Sequence, residues 1–211
     1  MTKLIGLTGA KRSGKNTVAT IFEDHVDGTV LQTSFAAKLK AAAARALGFQ
    51  GTEEELIALM DECKEHWEFG ITGIGEDSAT VKFFSGRHYL QWFGTEAGRE
   101  TFGGSFWVDQ VLPDPSEAVA AGGWVEAAPS VMLNLRYDQD YVLVTDLRFP
   151  NEAERIKLLG GVVWEVTRPG TGGDGHASER PLPRELVDLT IVNDGDKDAL
   201  AAKVAVAVMS L

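Results

Sequence analysis

The stretch that most constrains the fold of this chain is Leu4–Ala19, LIGLTGAKRSGKNTVA. Its first residues, Leu4–Leu7, are mostly apolar and predict a short buried strand, and apolar residues at helical spacing follow the loop. Gly9, Gly14 and Lys15 match the pattern G-x-x-x-x-G-K. Glycines let successive backbone N–H groups surround phosphate oxygens, and the next helix adds its N-terminal donors and positive dipole end. The stretch therefore predicts a loop that binds nucleotide phosphates.

One position departs from this pattern, because Asn16 stands where Ser or Thr normally ligates Mg²⁺. Thr17 still offers a hydroxyl, which we expect to contact the α-phosphate. Three routes for the metal stay open: Asn16, water, or a carboxylate elsewhere. The best carboxylate is Asp146, which ends the apolar strand Tyr141–Thr145 as the Asp of a Walker-B strand does. We therefore expect Mg²⁺ as cofactor.

Composition narrows the class of protein. A chain of 211 residues fits one α/β domain, and its net charge of −11 argues against a general nucleic-acid binder. Cys63 is the single cysteine, which excludes a disulfide framework and fits a reducing cytoplasm. No apolar run reaches membrane length, and the chain begins with a core strand rather than a leader. We expect a cytoplasmic protein with small anionic partners.

Strands and helices alternate along the chain, which predicts a three-layer α/β fold with a parallel sheet and a ligand at the carboxyl ends of its strands. The further expected strands are Thr29–Ser34, Val162–Thr167 and Leu189–Val192. An acidic helix is expected over 52–69, opened by a capping box of Thr52 and Glu55, and a loop over 70–78. Residues 168–183 form a Gly/Pro-rich loop long enough to be a lid.

Cations are concentrated where strands end and helices begin. Lys11, Arg12 and Lys15 lie in one loop and exceed what a single triphosphate needs. Further cations follow predicted strands or open helices: Lys40, Arg87, Arg148 and Arg168. An enzyme that transfers a phosphoryl group needs such charges to hold donor and acceptor in line and to stabilise the transferring group. Each arginine taken singly fits a surface salt bridge equally well.

Several motifs in combination make the chain resemble the bacteriophage deoxynucleoside monophosphate kinases, over nearly its full length except 50–85 and 113–138. The motifs are GAKRSGKNT (9–17), FAAKLK (35–40), RHYLQWFGTEAGR (87–99), SFWV (105–108), VTDLRFPNEAE (144–154), VTRPG (166–170), HASE (176–179) and IVNDG (191–195). The resemblance implies a P-loop NTPase fold of the nucleoside monophosphate kinase type. It also implies transfer of a phosphoryl group from ATP to a deoxynucleoside 5′-monophosphate.

The resemblance assigns roles position by position. The ATP site would comprise Arg12, Gly14, Lys15, Asn16, Thr17 and Asn193, the last one near adenine. The acceptor site would comprise Lys11, Lys40, Arg87, Gln91, Gly94, Thr95, Trp107 and Glu152, with Gln91 on the base edge. Lys15, Asp146 and Arg148 would be catalytic, with Asp146 on the metal.

The resemblance further implies one P-loop kinase domain over 1–211, with a helical insert over 36–86 that binds the monophosphate and a lid over 168–183. Family members often carry an arginine in this insert. Between Arg45 and Arg87 this chain has none, so either Lys64 or Lys82 replaces it or the contact is absent. A homodimer stays open.

Two other functions compete with this one. The first is a P-loop kinase for another small acceptor, of the phosphomevalonate or dephospho-coenzyme-A type, against which the QWFGT block argues. The second is a nucleotide-binding module without turnover, in which Asn16 marks a crippled metal site. Intact Lys15, Asp146 and Arg148 count against this second alternative.

Overall fold

A computed structural model describes residues 2–72, 81–114, 116, 139–171 and 181–211 of the chain. These residues form two compact units. Unit 1 comprises Met1–Phe35 and Val108–Leu211, and unit 2 comprises Ala36–Trp107. The predicted lid over 168–183 falls largely outside the described residues, as does the HASE motif. The assignment of 36–86 as an acceptor-binding insert stays a prediction.

Unit 1 is built on a five-stranded parallel sheet with the order β2-β5-β1-β6-β7. Its strands are β1 (Lys3–Thr8), β2 (Val30–Thr33), β5 (Tyr141–Leu147), β6 (Val162–Thr167) and β7 (Leu189–Val192). Its helices are α1 (Lys15–His25), α5 (Phe106–Asp109, which starts in unit 2), α6 (Pro150–Leu158) and α7 (Lys197–Met209), with a 3₁₀ turn over Arg184–Leu186. This arrangement is the predicted α/β P-loop fold.

Each face of the sheet is covered by a separate apolar core. Side chains of α1 and α7, such as Phe22 and Val204, pack on one face together with Ile5 and Leu7 of β1. Residues of α6 and of the segment 108–112 pack on the other face, where β1 contributes Leu4. Because neighbouring side chains of a strand point to opposite faces, the apolar run of β1 serves both cores. The result is the three-layer order expected from the sequence.

The sheet determines where the polar residues meet. In parallel strands the carboxyl ends share one edge, and β1, β5, β6 and β7 end at Thr8, Leu147, Thr167 and Val192. The residues directly after these strands therefore lie along one edge of the sheet. They are Gly9, Arg148, Arg168 and Asn193.

Unit 2 contains three helices and a two-stranded antiparallel ribbon. Its elements are α2 (Phe35–Ala46, whose first residue belongs to unit 1), α3 (Glu53–His66), β3 (Glu68–Thr72), β4 (Val81–Ser85), α4 (Gly86–Trp92) and a π-helical segment over Phe93–Glu100. Its core combines Ala41 and Ala44 of α2, Leu56 and Met60 of α3, and Leu90 of α4.

Two local expectations for unit 2 met different outcomes. The capping box at Thr52 is confirmed, since its hydroxyl accepts from the Glu55 N–H and the Glu55 carboxylate accepts from the Thr52 N–H. The helix over 52–69 and the loop over 70–78 were wrong at their junction, because α3 ends at His66 and Glu68–Thr72 is a strand. Aromatic and β-branched residues in EFGIT and VKFFS favour a ribbon over a continued helix.

Among the described residues, no helix combines the length and the apolar character that crossing a bilayer requires.

Candidate phosphate-binding site

The loop between β1 and α1 takes a conformation that depends on glycine. Gly9 and Gly14 have φ of 137° and 108°, and Arg12 has φ of 67° although it carries a side chain. A Cβ on Gly9 would overlap the carbonyl oxygen of Val166 in β6, so the loop lies directly against the neighbouring strand. Both predicted glycines of the motif are therefore required by backbone geometry.

The N-terminus of α1 is left open to an anion. Gly14 occupies the N-cap and makes no side-chain hydrogen bond, and the first turn contains no acidic residue. The first N–H groups of a helix without a side-chain cap point at whatever lies before the helix, and the dipole there favours negative charge. Asn16 and Thr17 are exposed in this first turn, as are Lys11 and Arg12 in the loop.

Two buried or half-buried side chains line the loop from within. The ammonium of Lys15 donates to the carbonyl oxygens of Gly9 and Ala10, at 2.6 and 3.0 Å, so it lies across the loop. Ser13 is fully buried, and its hydroxyl has no hydrogen-bond partner among the described residues. The ammonium of Lys15 and the hydroxyl of Ser13 thus both lie against the backbone of the loop.

The side chain of Asn193, which directly follows β7, forms a hydrogen bond with the loop. Its amide nitrogen donates to the carbonyl oxygen of Ser13 at 2.8 Å, and its backbone N–H donates to Thr167 at 2.7 Å. A hydrogen bond and the charge of Lys203 lower the pKa of the neighbouring Asp194 and keep the turn after β7 tied to α7. The structure thus gives Asn193 a bracing contact, and its predicted contact with adenine stays a prediction.

Asp146 lies half-buried near the end of β5, as a Walker-B carboxylate does. Its Oδ1 accepts a hydrogen bond from the backbone N–H of Phe35 at 2.8 Å. Because Phe35 opens α2, the carboxylate also fixes the backbone that follows β2. Asp146 therefore combines a structural contact with a place at the sheet edge beside the loop.

Glu152 is buried, at 2% exposure, and its carboxylate is engaged by backbone. Its Oε2 accepts from the N–H groups of Arg148 and Phe149, at 2.7 and 3.0 Å. This contact caps α6 and fixes the direction in which the chain leaves β5. The structure thus shows Glu152 supporting the backbone of Arg148, and its predicted contact with the acceptor stays a prediction.

A cavity of about 160 Å³ lies in unit 1 beside the loop. It is lined by residues at the ends of β1, β5 and β6 and by the two segments that follow β6: Thr8, Gly9, Ala10, Leu147, Arg148, Glu165, Val166, Thr167, Arg168, Thr171 and Pro181. Arg148 was predicted for the site, and Arg168 was noted only among the cations. Glu165 was missed, because a single acid inside the strand VVWEVT carries no motif.

The donors needed for Mg²⁺ fit this edge of the sheet. Among the described residues no group of three or more His, Cys, Asp or Glu could enclose a metal. Mg²⁺ does not need such a cage, since it keeps several waters and binds through one or two carboxylates and substrate phosphates. Asp146 supplies one half-buried carboxylate, and Asn16 supplies an exposed amide in the first turn of α1.

In unit 2 the predicted acceptor residues comprise charged side chains in ion pairs, polar side chains on helices, and residues of the interior. Lys40 contacts Asp61 at 2.7 Å, and Arg87 contacts Glu65 at 2.6 Å. Gln91 is exposed on α4, one residue before the half-exposed Trp92. Thr95 is half-buried in the π-helical segment.

Gly94 and Trp107 form part of the interior of unit 2. Trp107 is 4% exposed, and its indole N–H donates to the Gly94 carbonyl oxygen at 2.8 Å. A Cβ on Gly98 would lie 2.5 Å from the indole nitrogen, so Gly98 makes room for the ring. The structure shows Trp107 packed in the core, and its predicted contact with the acceptor stays a prediction.

The fold and the loop define the class of protein. The central strand of the parallel sheet leads into G-x-x-x-x-G-K and an open helix N-terminus, and an Asp lies near the end of the adjacent strand. This combination defines a P-loop NTPase that has the residue types of a kinase site.

Comparison with known proteins gives the family. The family model described as deoxynucleotide monophosphate kinase matches residues 70–204. A protein of Acanthamoeba polyphaga mimivirus, provisionally named deoxynucleotide monophosphate kinase, is 30% identical over 90% of this chain and 88% of its own. The deoxynucleotide monophosphate kinase of Enterobacteria phage T4 is 26% identical over 96% of this chain and 97% of its own. The chain belongs to the deoxynucleotide monophosphate kinase family.

Among solved structures, the crystal structure of TT1252 from Thermus thermophilus aligns with 99% of this chain and 97% of that one. Its TM-score is 0.49 at 19% identity, which is too distant a likeness to bear on function.

Proposed function

We propose that the protein transfers the terminal phosphoryl group of ATP to a deoxynucleoside 5′-monophosphate, giving the deoxynucleoside diphosphate and ADP. The observation that carries this proposal is the glycine-dependent loop at the open N-terminus of α1. Lys15 lies across this loop, and Asp146 and Arg148 lie near the end of the adjacent strand, β5. Family membership supports the same reaction.

On the donor side, backbone N–H groups of the loop and of the first turn of α1 bind the ATP phosphates. Lys15 exchanges its two carbonyl contacts for phosphate oxygens, and Arg12 and Thr17 add an exposed guanidinium and hydroxyl. Asn193 keeps the loop in place through Ser13 while adenine binds near the turn after β7. Asp146 and Asn16 would hold Mg²⁺, directly or through water, and the ion would supply positive charge against the charge that develops on the phosphates.

On the acceptor side, Lys40 and Arg87 of unit 2 bind the 5′-phosphate, and Gln91 contacts the base edge. The role that the resemblance assigns to Lys11 stays a prediction. The attacking group is an oxygen of that phosphate, which is already anionic, so the reaction needs no strong general base. Arg148 stabilises the transferring group electrostatically, and Glu152 fixes its backbone. The residues of 168–183 act as a lid that excludes water and limits hydrolysis of ATP. We place the reaction in the cytoplasm, of the host if the gene is viral.

The direct test is an assay of ADP release with Mg-ATP and each of the four deoxynucleoside monophosphates, beside a control without acceptor. We expect release that depends on at least one acceptor. Lys15→Ala should reduce kcat by about 10²- to 10³-fold, because it removes a charge from the transferring phosphates. Lys157→Ala, which removes a surface ion pair with Asp188, is the matched control and should be active.

Two outcomes would contradict the proposal. Tight ATP binding without turnover on any deoxynucleoside monophosphate would favour the kinase for another small acceptor or the binding module. A rate of ADP release that acceptors do not change would contradict both the acceptor site and the lid.

A further inference from the structure

Five charged side chains of unit 2 form a continuous chain of contacts, which we call the charge network: Lys40, Asp61, Lys64, Glu65 and Arg87. The ammonium of Lys40 contacts Oδ1 of Asp61 at 2.7 Å, and the ammonium of Lys64 contacts the same oxygen at 3.5 Å. Oε1 of Glu65 lies 3.9 Å from Lys64 and 2.6 Å from Arg87. Three cations thus alternate with two carboxylates.

The shared oxygens place the three cations close together. Lys40 and Lys64 touch one oxygen of Asp61, so their nitrogens are no farther apart than those two contacts laid end to end. The same holds for Lys64 and Arg87 at Glu65. A phosphate monoester presents three terminal oxygens around one phosphorus, and it can accept hydrogen bonds from several cations at such spacing. A phosphate dianion carries the same total charge as the two carboxylates that now contact these cations.

The two carboxylates of this network are more exposed than its two lysines. The side chains of Lys40 and Lys64 are 18% and 32% exposed, whereas those of Asp61 and Glu65 are 46% and 54% exposed. The side chain of Arg87, the third cation, is 40% exposed, so solvent reaches the network at its carboxylates and at this arginine. An anion that arrives from solvent can therefore meet both an accessible cation and the carboxylates that it would displace.

A second ion pair on the same two helices shows the difference. Lys38 of α2 contacts Glu53 of α3 at 2.7 Å, in a contact between one cation and one carboxylate. In the charge network, by contrast, one oxygen of each carboxylate contacts two cations. Exposed ion pairs are weak and exchange readily with other partners. Clustering of three cations, however, raises their mutual repulsion unless anions stand among them.

We propose that Lys64 is a third cation for the 5′-phosphate of the acceptor, and that Asp61 and Glu65 are internal counterions which this phosphate displaces. The inference rests on the proposed kinase function, since it names how that enzyme's acceptor site is charged. It predicts an unusual result, because removal of an acidic side chain should tighten binding of the acceptor.

The test is steady-state kinetics of ADP release, with KM for the deoxynucleoside monophosphate, KM for ATP and kcat measured separately. Asp61→Asn should lower the acceptor KM by about threefold, because the phosphate no longer competes with a carboxylate. Lys64→Ala should raise the acceptor KM by about tenfold, with kcat and the KM for ATP close to the wild type. Lys64→Arg should restore most of the loss.

The controls match each change in charge and helix. Glu62→Gln removes an exposed acid one residue from Asp61, and Lys38→Ala removes a lysine of the separate pair with Glu53. Neither should change the acceptor KM by more than about twofold. Lys64→Gln replaces Lys64→Ala if the alanine variant does not fold.

The outcomes separate this inference from the proposed function. A wild-type enzyme without acceptor-dependent ADP release refutes the kinase and the counterion model together. An active wild type whose acceptor KM is unchanged in the Lys64 variants, or is raised by Asp61→Asn, refutes the counterion model and leaves the kinase in place.

Discussion

The two units of this protein prepare to bind phosphate by different physical means. In unit 1 the site is made of backbone: positive φ at Gly9, Arg12 and Gly14, and the open N-terminus of α1. In unit 2 the candidate site is made of long side chains that contact one another, such as Lys40 with Asp61. Backbone donors are fixed in position by the fold, whereas side-chain ion pairs can exchange partners.

This difference predicts how each unit should respond to substitutions. In a site made of backbone, a substitution that is incompatible with the backbone conformation should reduce stability and activity together. A site made of exposed ion pairs should lose or gain affinity in small steps while the fold stays intact. Substitutions in the two units therefore test the comparison directly.

The largest effect is expected for Gly9→Ala in unit 1. The added Cβ would overlap the carbonyl oxygen of Val166, and the residue would have to keep φ of 137°. We expect a loss of about 2–4 kcal/mol in the free energy of unfolding and at least about 100-fold in kcat/KM. Urea unfolding and ADP release measure the two losses. Gly104→Ala, where a Cβ meets nothing within 4 Å, is the control, and an active, stable Gly9→Ala would contradict the backbone model.

The next effect is expected for Glu152→Ala, which removes the buried carboxylate that accepts from Arg148 and Phe149. Two backbone N–H groups lose their acceptor, so unfolding should become about 1–3 kcal/mol easier. Activity should fall mainly in kcat, since Arg148 loses its fixed backbone. Glu152→Gln retains an acceptor oxygen and should recover part of both. A rise confined to the acceptor KM would instead favour the predicted contact with substrate.

Trp107→Phe tests whether the ring belongs to the core of unit 2. Phe lacks the N–H that donates to Gly94, and it is smaller, so unfolding should become about 1–2 kcal/mol easier. The acceptor KM should stay within about twofold of the wild type, because the ring is buried. Thermal unfolding measures the loss of stability, and titration with the acceptor measures its KM. A large rise in KM without loss of stability would place the ring against the acceptor.

The smallest effect is expected for Gln91→Ala, at an exposed position of α4. We expect the acceptor KM to rise by about three- to tenfold and the preference among the four bases to weaken, since one amide contact is lost. The unfolding free energy should not change measurably. Comparison of kcat/KM for all four acceptors is the measurement, and unchanged values for every base would remove Gln91 from the base site.

Local signals in the sequence were sufficient for much of this protein. The motif with Gly9, Gly14 and Lys15 predicted a strand, a turned loop and a helix, because glycine spacing and apolar periodicity act within a few residues. The apolar strand from Tyr141 predicted a central position, next to β1. The box at Thr52 was predicted from residues three positions apart. The motifs also identified the family to which the chain belongs.

Tertiary structure decided what individual polar residues do. Asp146 contacts Phe35 across 111 positions of sequence, and Asn193 contacts Ser13 across 180. Trp107 matched a motif of the acceptor site and lies buried, because Gly98 of the π-helical segment makes room for its ring. A motif states which residue types are present near a site. It cannot state which of their atoms are already engaged, because hydrogen bonds and packing between distant segments form only when the chain is folded.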